Sequence, residues 1–212
     1  IKSVLSQTFQ DFEWILVENG STDKTREIIR KYAALDERIK PDYFDVNQDG
    51  FTNYYIAEKA DGRYIVKIDS DDWIEPEYLE KLIAPFEDPD VDISICGAVN
   101  YEEETGRETP HEYGELDGVY SKSDIEKQFI EMRSYMGTYW GKMFRREIFC
   151  SILPDMKEIG EKLKKGDNFG GDVAFALCYL GECKKLAFVN ERMYHYRIHN
   201  NSYATRTIGT NR

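Results

Sequence analysis

Three carboxylates follow directly on an apolar run in Tyr64-Ile65-Val66-Lys67-Ile68-Asp69-Ser70-Asp71-Asp72-Trp73. The run Tyr64–Ile68 reads as a buried strand. A strand that ends in three acids must end at the rim of its sheet, because the acids repel one another and cannot help a core. Two readings account for the cluster. One is a solvated acidic turn ahead of a helix, whose first turn favours Asp and Glu. The other is a site at which a divalent cation offsets the repulsion. In an open α/β sheet, the C-terminal ends of strands are also where ligands bind.

The rest of the first hundred residues sets that strand in an alternating pattern. Strand Glu13–Val17 leads into Asn19-Gly20-Ser21-Thr22-Asp23. A helix is expected from about Lys24 to Ala34, with Ile28, Ile29, Tyr32 and Ala33 on one face and Ser21, Thr22 or Asp23 as its cap. A strand near Tyr43–Val46 and a helix near Thr52–Lys59, ended by Asp61-Gly62, come before the acidic strand. A helix from about Pro76 to Ala84 and a strand Val91–Cys96 follow it. Such alternation predicts an α/β fold with a mixed, mostly parallel sheet covered by helices on both faces.

After Gly97 the character changes. Residues Glu102–Glu108 are polar and suit a hairpin tip or loop. Ser121–Met132 has the spacing of an amphipathic helix capped by Ser121. Trp140-Gly141-Lys142-Met143-Phe144 is dense in aromatics, and Ile159–Asn168 is rich in Lys and Gly. Asp172–Tyr179 reads as a helix, and Leu186–Val189 and Met193–Arg197 as two short strands. The expected organisation is one domain over 1–212: a nucleotide-binding half to residue 97, then an acceptor-side half. The opening residues Ile1–Leu5 suit a helix end, whereas an α/β domain would begin with a strand. The sequence is therefore expected to lack its first strand.

Composition narrows the partners. Lys plus Arg number 28 and Asp plus Glu 40, a formal net charge of −12, which argues against nucleic acid or an anionic membrane surface as the main partner. It leaves room for a nucleotide carried on a metal. No run approaches the length of a membrane span. Cys96, Cys150, Cys178 and Cys183 show no CxxC spacing, so free thiols in a reducing, cytoplasmic compartment are expected rather than zinc or disulfides.

Ser3-Val4-Leu5-Ser6-Gln7-Thr8, Glu13 to Thr25 with its Asn-Gly-Ser-Thr-Asp turn, and Gly62 to Trp73 with Asp-Ser-Asp-Asp resemble, in order and spacing, the family 2 glycosyltransferases of the GT-A fold. The likeness continues through Trp140-Gly141-Lys142, Gly171-Asp172 and Tyr194-His195-Tyr196-Arg197. It implies an inverting transferase that uses a nucleotide-diphospho-sugar donor and Mn²⁺ or Mg²⁺. It further implies a saccharide or lipid-linked saccharide acceptor and peripheral association with the inner face of a membrane.

The resemblance assigns roles by position. Asp69 and Asp71 match the metal motif, with Asp71 the direct ligand and Asp69 nearer the ribose; Ser70 lies between them, and Asp72 falls behind the metal. Glu18 and Asn19 match positions that hold the base, where the family has Asp-Asp. Asp172 matches the base that takes the acceptor hydroxyl's proton, its bland alternative being a helix cap. Trp140, Lys142, Arg197 and His199 fall on the acceptor side. Arg197 and His199 would close over the diphosphate, and some relatives use a late His as a metal ligand. Trp140, Tyr139 and Tyr135 would either stack on an acceptor sugar or fill core. The family's Ala-Arg-Asn segment, due near Thr52-Asn53-Tyr54, is missing. A haloacid-dehalogenase-like phosphotransferase is disfavoured by Trp73 after the acids. A degenerate sugar-nucleotide binder without transferase activity stays open as the non-enzymatic alternative.

Overall fold

The computed structural model describes residues 1–48, 52–111, 117–128, 135, 137–162 and 171–199. The expected helix end at 129–132 and residues 163–168 of the Lys- and Gly-rich stretch lie outside them, as do the side chains of residues 52–54.

A short helix α1 (Lys2–Leu5) precedes strand β1 (Trp14–Asn19), helix α2 (Thr25–Ala33) and strand β2 (Ile39–Phe44). Strands β1 and β2 pair in parallel as a two-stranded sheet, Trp14 opposite Ile39 and Asn19 opposite Phe44. β2 begins four residues earlier than the sequence reading placed it. It accommodates Pro41, which a strand tolerates on an open edge. The turn after β1 needs Gly20, with φ +76°, because a Cβ there would lie 2.8 Å from the Val46 carbonyl carbon.

Helix α3 (Thr52–Lys59) leads to β3 (Tyr64–Val66), and the acidic loop that follows ends in a two-residue strand, β4 (Trp73–Ile74). Helix α4 (Tyr78–Ile83), a 3₁₀ turn (Ala84–Glu87) and the long strand β5 (Val91–Glu102) complete the first half. Then come β6 (Arg107–Pro110), β7 (Gly118–Ser121), α5 (Lys122–Lys127), β8 (Lys142–Arg145), α6 (Arg146–Ser151), α7 (Leu153–Lys162), α8 (Gly171–Glu182) and β9 (Lys185–Ile198). As the sequence suggested, Ser121 caps α5, in a reciprocal box with Asp124. The polar segment before β6 is a hairpin tip, with β5 and β6 antiparallel from Glu102 opposite Arg107.

The larger sheet runs β3-β8-β5-β9-β4, with β6 added to β5 and β7 to β9. It is mixed, as expected, but parallel pairing is confined to β1–β2 and β5–β9; the other ladders are antiparallel. The cause is β8, which inserts antiparallel between β3 and β5 and so separates two strands running the same way. The two short strands expected after α8 are one strand, β9, interrupted where its register against β5 shifts around Gly97.

Side-chain alternation divides the core between the two faces of this sheet. Phe144, Ile93, Ile95, Leu186 and Phe188 join Phe149, Phe175 and Tyr179 on one face. Met143, Cys96, Ala98 and Ala187 join Val4, Tyr78, Leu82 and Trp140 on the other. On the first face, the Tyr179 hydroxyl ties α8 to the sheet: it donates to the Asp92 carbonyl at 2.7 Å and accepts from the Arg145 N–H at 2.9 Å. Asp92 in turn accepts from Arg145 Nε at 2.9 Å and from the Lys184 N–H at 2.8 Å.

Two contacts fix where the strand ends fall. Glu13 Oε1 accepts from the N–H groups of Asp61 at 2.6 Å and Gly62 at 3.2 Å, so β1 and β3 start together. Ile15 and Ile65 share one core face, and Trp14 and Tyr64 the other. The strands therefore finish at one rim, with Asn19 and the acidic loop on the same side. Gln7, 1% exposed, anchors the chain entry to the far side of that loop. Its amide donates to the carbonyls of Ser3 at 3.0 Å and Glu75 at 2.7 Å, and accepts from the Leu79 N–H at 2.9 Å. Gln7→Ala leaves these buried groups unpaired. It is expected to lower stability by about 1–3 kcal/mol, read as a lower urea midpoint with an unchanged slope; an unchanged midpoint would show the clamp to be dispensable.

Candidate functional site

The acidic loop is held by the end of β9. The Asp72 carboxylate accepts from the Tyr194 hydroxyl at 2.6 Å and from the Arg197 N–H at 2.8 Å. The same hydroxyl accepts from the Asp69 N–H at 3.1 Å. His199 Nε2 lies 3.1 Å from Asp71 Oδ2. The ladder continues where Trp73 pairs with His195, whose ring stacks on the indole at 4.8 Å and whose Nε2 meets Glu75 Oε1 at 2.7 Å. A groove of about 610 Å³ opens beside the loop, lined by Ser70, Asp71, Asp72, Trp73 and Arg197 and faced by Ile28 and Tyr32 of α2. Ser70 and Asp71 are exposed at its tip.

The charges form one electrostatic unit. Desolvation pushes the Asp69 carboxyl up; Lys67 opposes this, and Asp71 and Asp172 add to it. Desolvation pushes Asp72 up to about 6 against its hydrogen bonds. Asp172 is exposed, yet partial desolvation raises its carboxyl, while Lys67 and Lys142 pull it down. It lies in the first turn of α8, one residue inside the helix, where helix polarity favours its charge. The Lys67 ammonium rests 4.4 Å from the centre of the Tyr139 ring. Asp69 thus lies within electrostatic reach of Asp71, Asp172 and Lys67.

Other expected site residues are placed differently. The Glu18 side chain is fully buried and turned inward. It accepts from the Ser21 N–H and from Arg26 Nε at 2.7 Å, and these contacts, Ser21 foremost, hold it below the usual carboxylate range. Both oxygens are engaged, so Glu18 shapes the turn instead of facing a base. Asn19 is half-buried; its amide donates to Asn47 at 3.1 Å and accepts from the Gln48 N–H at 2.8 Å. The N-cap of α2 is Lys24, not Ser21, Thr22 or Asp23, and no side chain caps the helix; Asp23 accepts from the Thr25 N–H at 2.9 Å in the turn before it.

Trp140 and Lys142 do not present a face to an acceptor. Trp140 is 5% exposed and stacks on Tyr194 at 4.7 Å and on Tyr196 at 5.5 Å. His111, which carried no expectation, closes the edge of this stack 5.2 Å from Trp140. Lys142 is fully buried, donating to Thr138 Oγ1 at 2.9 Å and to the Trp140 carbonyl at 3.0 Å. The turn between them depends on Gly141 at φ +72°. Tyr135 and Tyr139 are core residues packed on Phe188 and Phe175. Arg197 reaches Glu103 at 3.0 Å and covers the Trp73 ring at 5.4 Å, flanking the groove.

Lys67 and Tyr194 escaped the sequence reading. A lysine inside an otherwise apolar strand run was the available signal for the first. For the second it was the Tyr-x-Tyr alternation that puts two phenols on one face of β9.

Among the described residues, no group of three or more His, Cys, Asp or Glu could hold a metal ion alone. The donors present, Asp69 and Asp71 with His199 beside Asp71, suit a hard cation that takes its remaining ligands from phosphate and water. The cysteines are free. No helix among the described residues is long and apolar enough to cross a membrane.

Burial pushes the Lys142 ammonium down to about 7. Below that pH the folded and unfolded chains both hold the proton and the burial cost is fully present. Above it the folded chain releases the proton first, so stability from this group rises with pH up to the ordinary lysine value of about 10.4. Lys142→Met is expected to flatten the pH dependence of the urea midpoint above pH 7. A variant profile parallel to the unmutated one would contradict this.

Comparisons with known proteins identify the fold and the family. The chain is 29% identical over 206 residues to EpsH of Bacillus subtilis (strain 168), a protein described as a glycosyltransferase, covering 97% of this chain and 58% of EpsH. It is 27% identical over 210 residues to the glycosyltransferase GlyA of Streptococcus pneumoniae serotype 4 (strain ATCC BAA-334 / TIGR4), covering 95% of this chain and 28% of GlyA. It thus spans little more than half of the first relative and under a third of the second. The fold matches S. aureus TarS in complex with UDP-GlcNAc, with a TM-score of 0.71 at 18% identity over 95% of this chain and 54% of that one. The GT-A architecture is therefore shared. The family model described as glycosyl transferase family 2 matches residues 1–153, and the chain belongs to that family.

Proposed function

We propose that this chain carries the transfer core of an inverting glycosyltransferase, moving a sugar from a nucleotide-diphospho-sugar to a hydroxyl of a saccharide or lipid-linked saccharide. The observation that carries this reading is the acidic loop Asp69–Asp72, clamped at the end of β3 by the Tyr194 hydroxyl and the Arg197 N–H, with Asp172 within electrostatic reach of Asp69. Solved neighbours support it: TarS is described in complex with UDP and with UDP-GlcNAc, and GalNAc-T7 with UDP, GalNAc and Mn²⁺.

In this reading Asp71 and Asp69 hold Mn²⁺ or Mg²⁺. Such a cation, when bound, supplies Lewis-acid stabilisation of the charge on the departing diphosphate. Asn19, at the same rim, keeps one amide N–H for the nucleotide beside its bonds to Asn47 and Gln48, whereas both Glu18 oxygens are engaged. Ser70 lies at the exposed tip between the two metal-binding acids. Arg197 and His199 flank the groove from the end of β9. Asp172 takes the acceptor hydroxyl's proton as that oxygen attacks the anomeric carbon from the face opposite the diphosphate. Its raised carboxyl affinity for protons suits a base better than a fully solvated acid would. Trp140 and Lys142 act from behind, by supporting Tyr194 and by biasing the charge of Asp172.

Asp71→Asn is expected to remove most Mn²⁺-dependent UDP affinity while leaving the fold intact, because it relieves repulsion. Calorimetry giving the unmutated affinity would refute the assignment. Asp172→Asn keeps the shape of the helix start. It is expected to lower transfer by roughly 10²–10⁴-fold, the span of general base catalysis, with donor binding nearly unchanged. Transfer at the unmutated rate would instead make Asp172 a structural residue.

A further inference from the structure

We infer that Tyr194 is a positioning residue for the acidic loop: its hydroxyl, wedged between the Asp69 N–H and the Asp72 carboxylate, sets the geometry in which Asp69 and Asp71 receive a cation and a nucleoside diphosphate. This deepens the donor-and-cation reading above and rests on it.

The geometry is specific. Tyr194 is fully buried, and one oxygen serves both ends of the loop, donating to Asp72 at 2.6 Å and accepting from the Asp69 N–H at 3.1 Å. A phenol can do both at once. Asp72 is fixed from its other oxygen by the Arg197 N–H at 2.8 Å, and the Asp72 N–H reaches back to the Asp69 carbonyl at 3.2 Å. Asp69 and Asp72 are thereby held to each other and to β9, on either side of the exposed Asp71. The ring is immobilised in turn: Trp140 stacks on it at 4.7 Å with planes 10° apart, and the Trp140 carbonyl is held by the buried Lys142 ammonium. Held this way, the loop need not be ordered when ligand arrives, and that ordering cost no longer subtracts from affinity. Groups that orient metal-binding side chains, without touching the ion, typically contribute about 10–100-fold in metal affinity.

The test uses the full chain, with Mn²⁺ and UDP as probes at a temperature where every variant is folded. Tyr194→Phe keeps the stacked ring and removes only the hydroxyl. It is expected to weaken Mn²⁺-dependent UDP binding by roughly 10–100-fold and, without any ligand, to speed hydrogen exchange at the Asp69 amide. Asp72→Ala cuts the same clamp from its other side. It is expected to weaken binding similarly, and the double variant no more than either single one, as for residues acting as one unit. Unmutated affinity in both folded variants would overturn the positioning role while leaving the donor reading in place. Failure of the unmutated protein to bind Mn²⁺ and UDP, with Asp69 exchange still hydroxyl-dependent, would instead overturn the donor reading and the inference that rests on it. If Tyr194→Phe does not fold, Asp72→Ala alone decides.

Discussion

Crowded negative charge at the end of one short strand is the constraint around which this molecule is organised. Asp69, Asp71 and Asp72 follow β3 within four residues, and Asp172 on α8 lies within electrostatic reach of Asp69. In a medium less polar than water each carboxylate raises the proton affinity of its neighbours. The fold answers with two lysines and a set of directed hydrogen bonds. Lys67 and Lys142 both draw Asp172 back toward its ionised state, and Lys67 does so for Asp69. Tyr194 and Arg197 neutralise Asp72 by donation, which supplies no net charge and leaves the cleft attractive to a cation.

Seen this way, the aromatic segment at Trp140 belongs to the site without touching a ligand. The indole packs between Tyr194, Tyr196 and His111, and its neighbour Lys142 spends a buried ammonium on one hydroxyl and one carbonyl. Burying an ammonium without a carboxylate partner is costly. The strand β8 allows this because it lies inside the sheet between β3 and β5, with Met143 in the core of one face and Phe144 in that of the other.

Local pattern made much of this visible in advance. The capping Ser121, the polar hairpin tip and the acids at a strand end all follow from periodicity and charge over a few residues, whereas of the apolar face expected on α2 only Ile29 is buried and Ile28 is exposed. What escaped depends on partners far along the chain. The two residues Trp73-Ile74 are a strand only because His195 and Tyr194 lie opposite them. The antiparallel insertion of β8 is set by packing between segments eighty residues apart, which no local pattern encodes. Glu18 shows the same limit at a single side chain. A carboxylate at a strand end is equally suited to a ligand and to an adjacent turn, and Arg26 with the Ser21 N–H decides for the turn. Lys67 was hidden because its strand was read for its apolar members.

The anchoring of α8 through Tyr179 makes that helix a lever. The phenol is fixed between Asp92 and Arg145, seven residues from Asp172, which at 1.5 Å per residue is an arm of about 10 Å. A tilt of about 6° at the pivot moves the far end by about 1 Å, a displacement that can cost a positioned catalytic group about 10²-fold in rate. The angular setting of Asp172 thus depends on a buried tyrosine two turns along the helix. Substitutions in the packing of α8, at Phe149 or at Phe175 on the helix itself, would move Asp172 as a rotation, with no residue of the acidic loop altered.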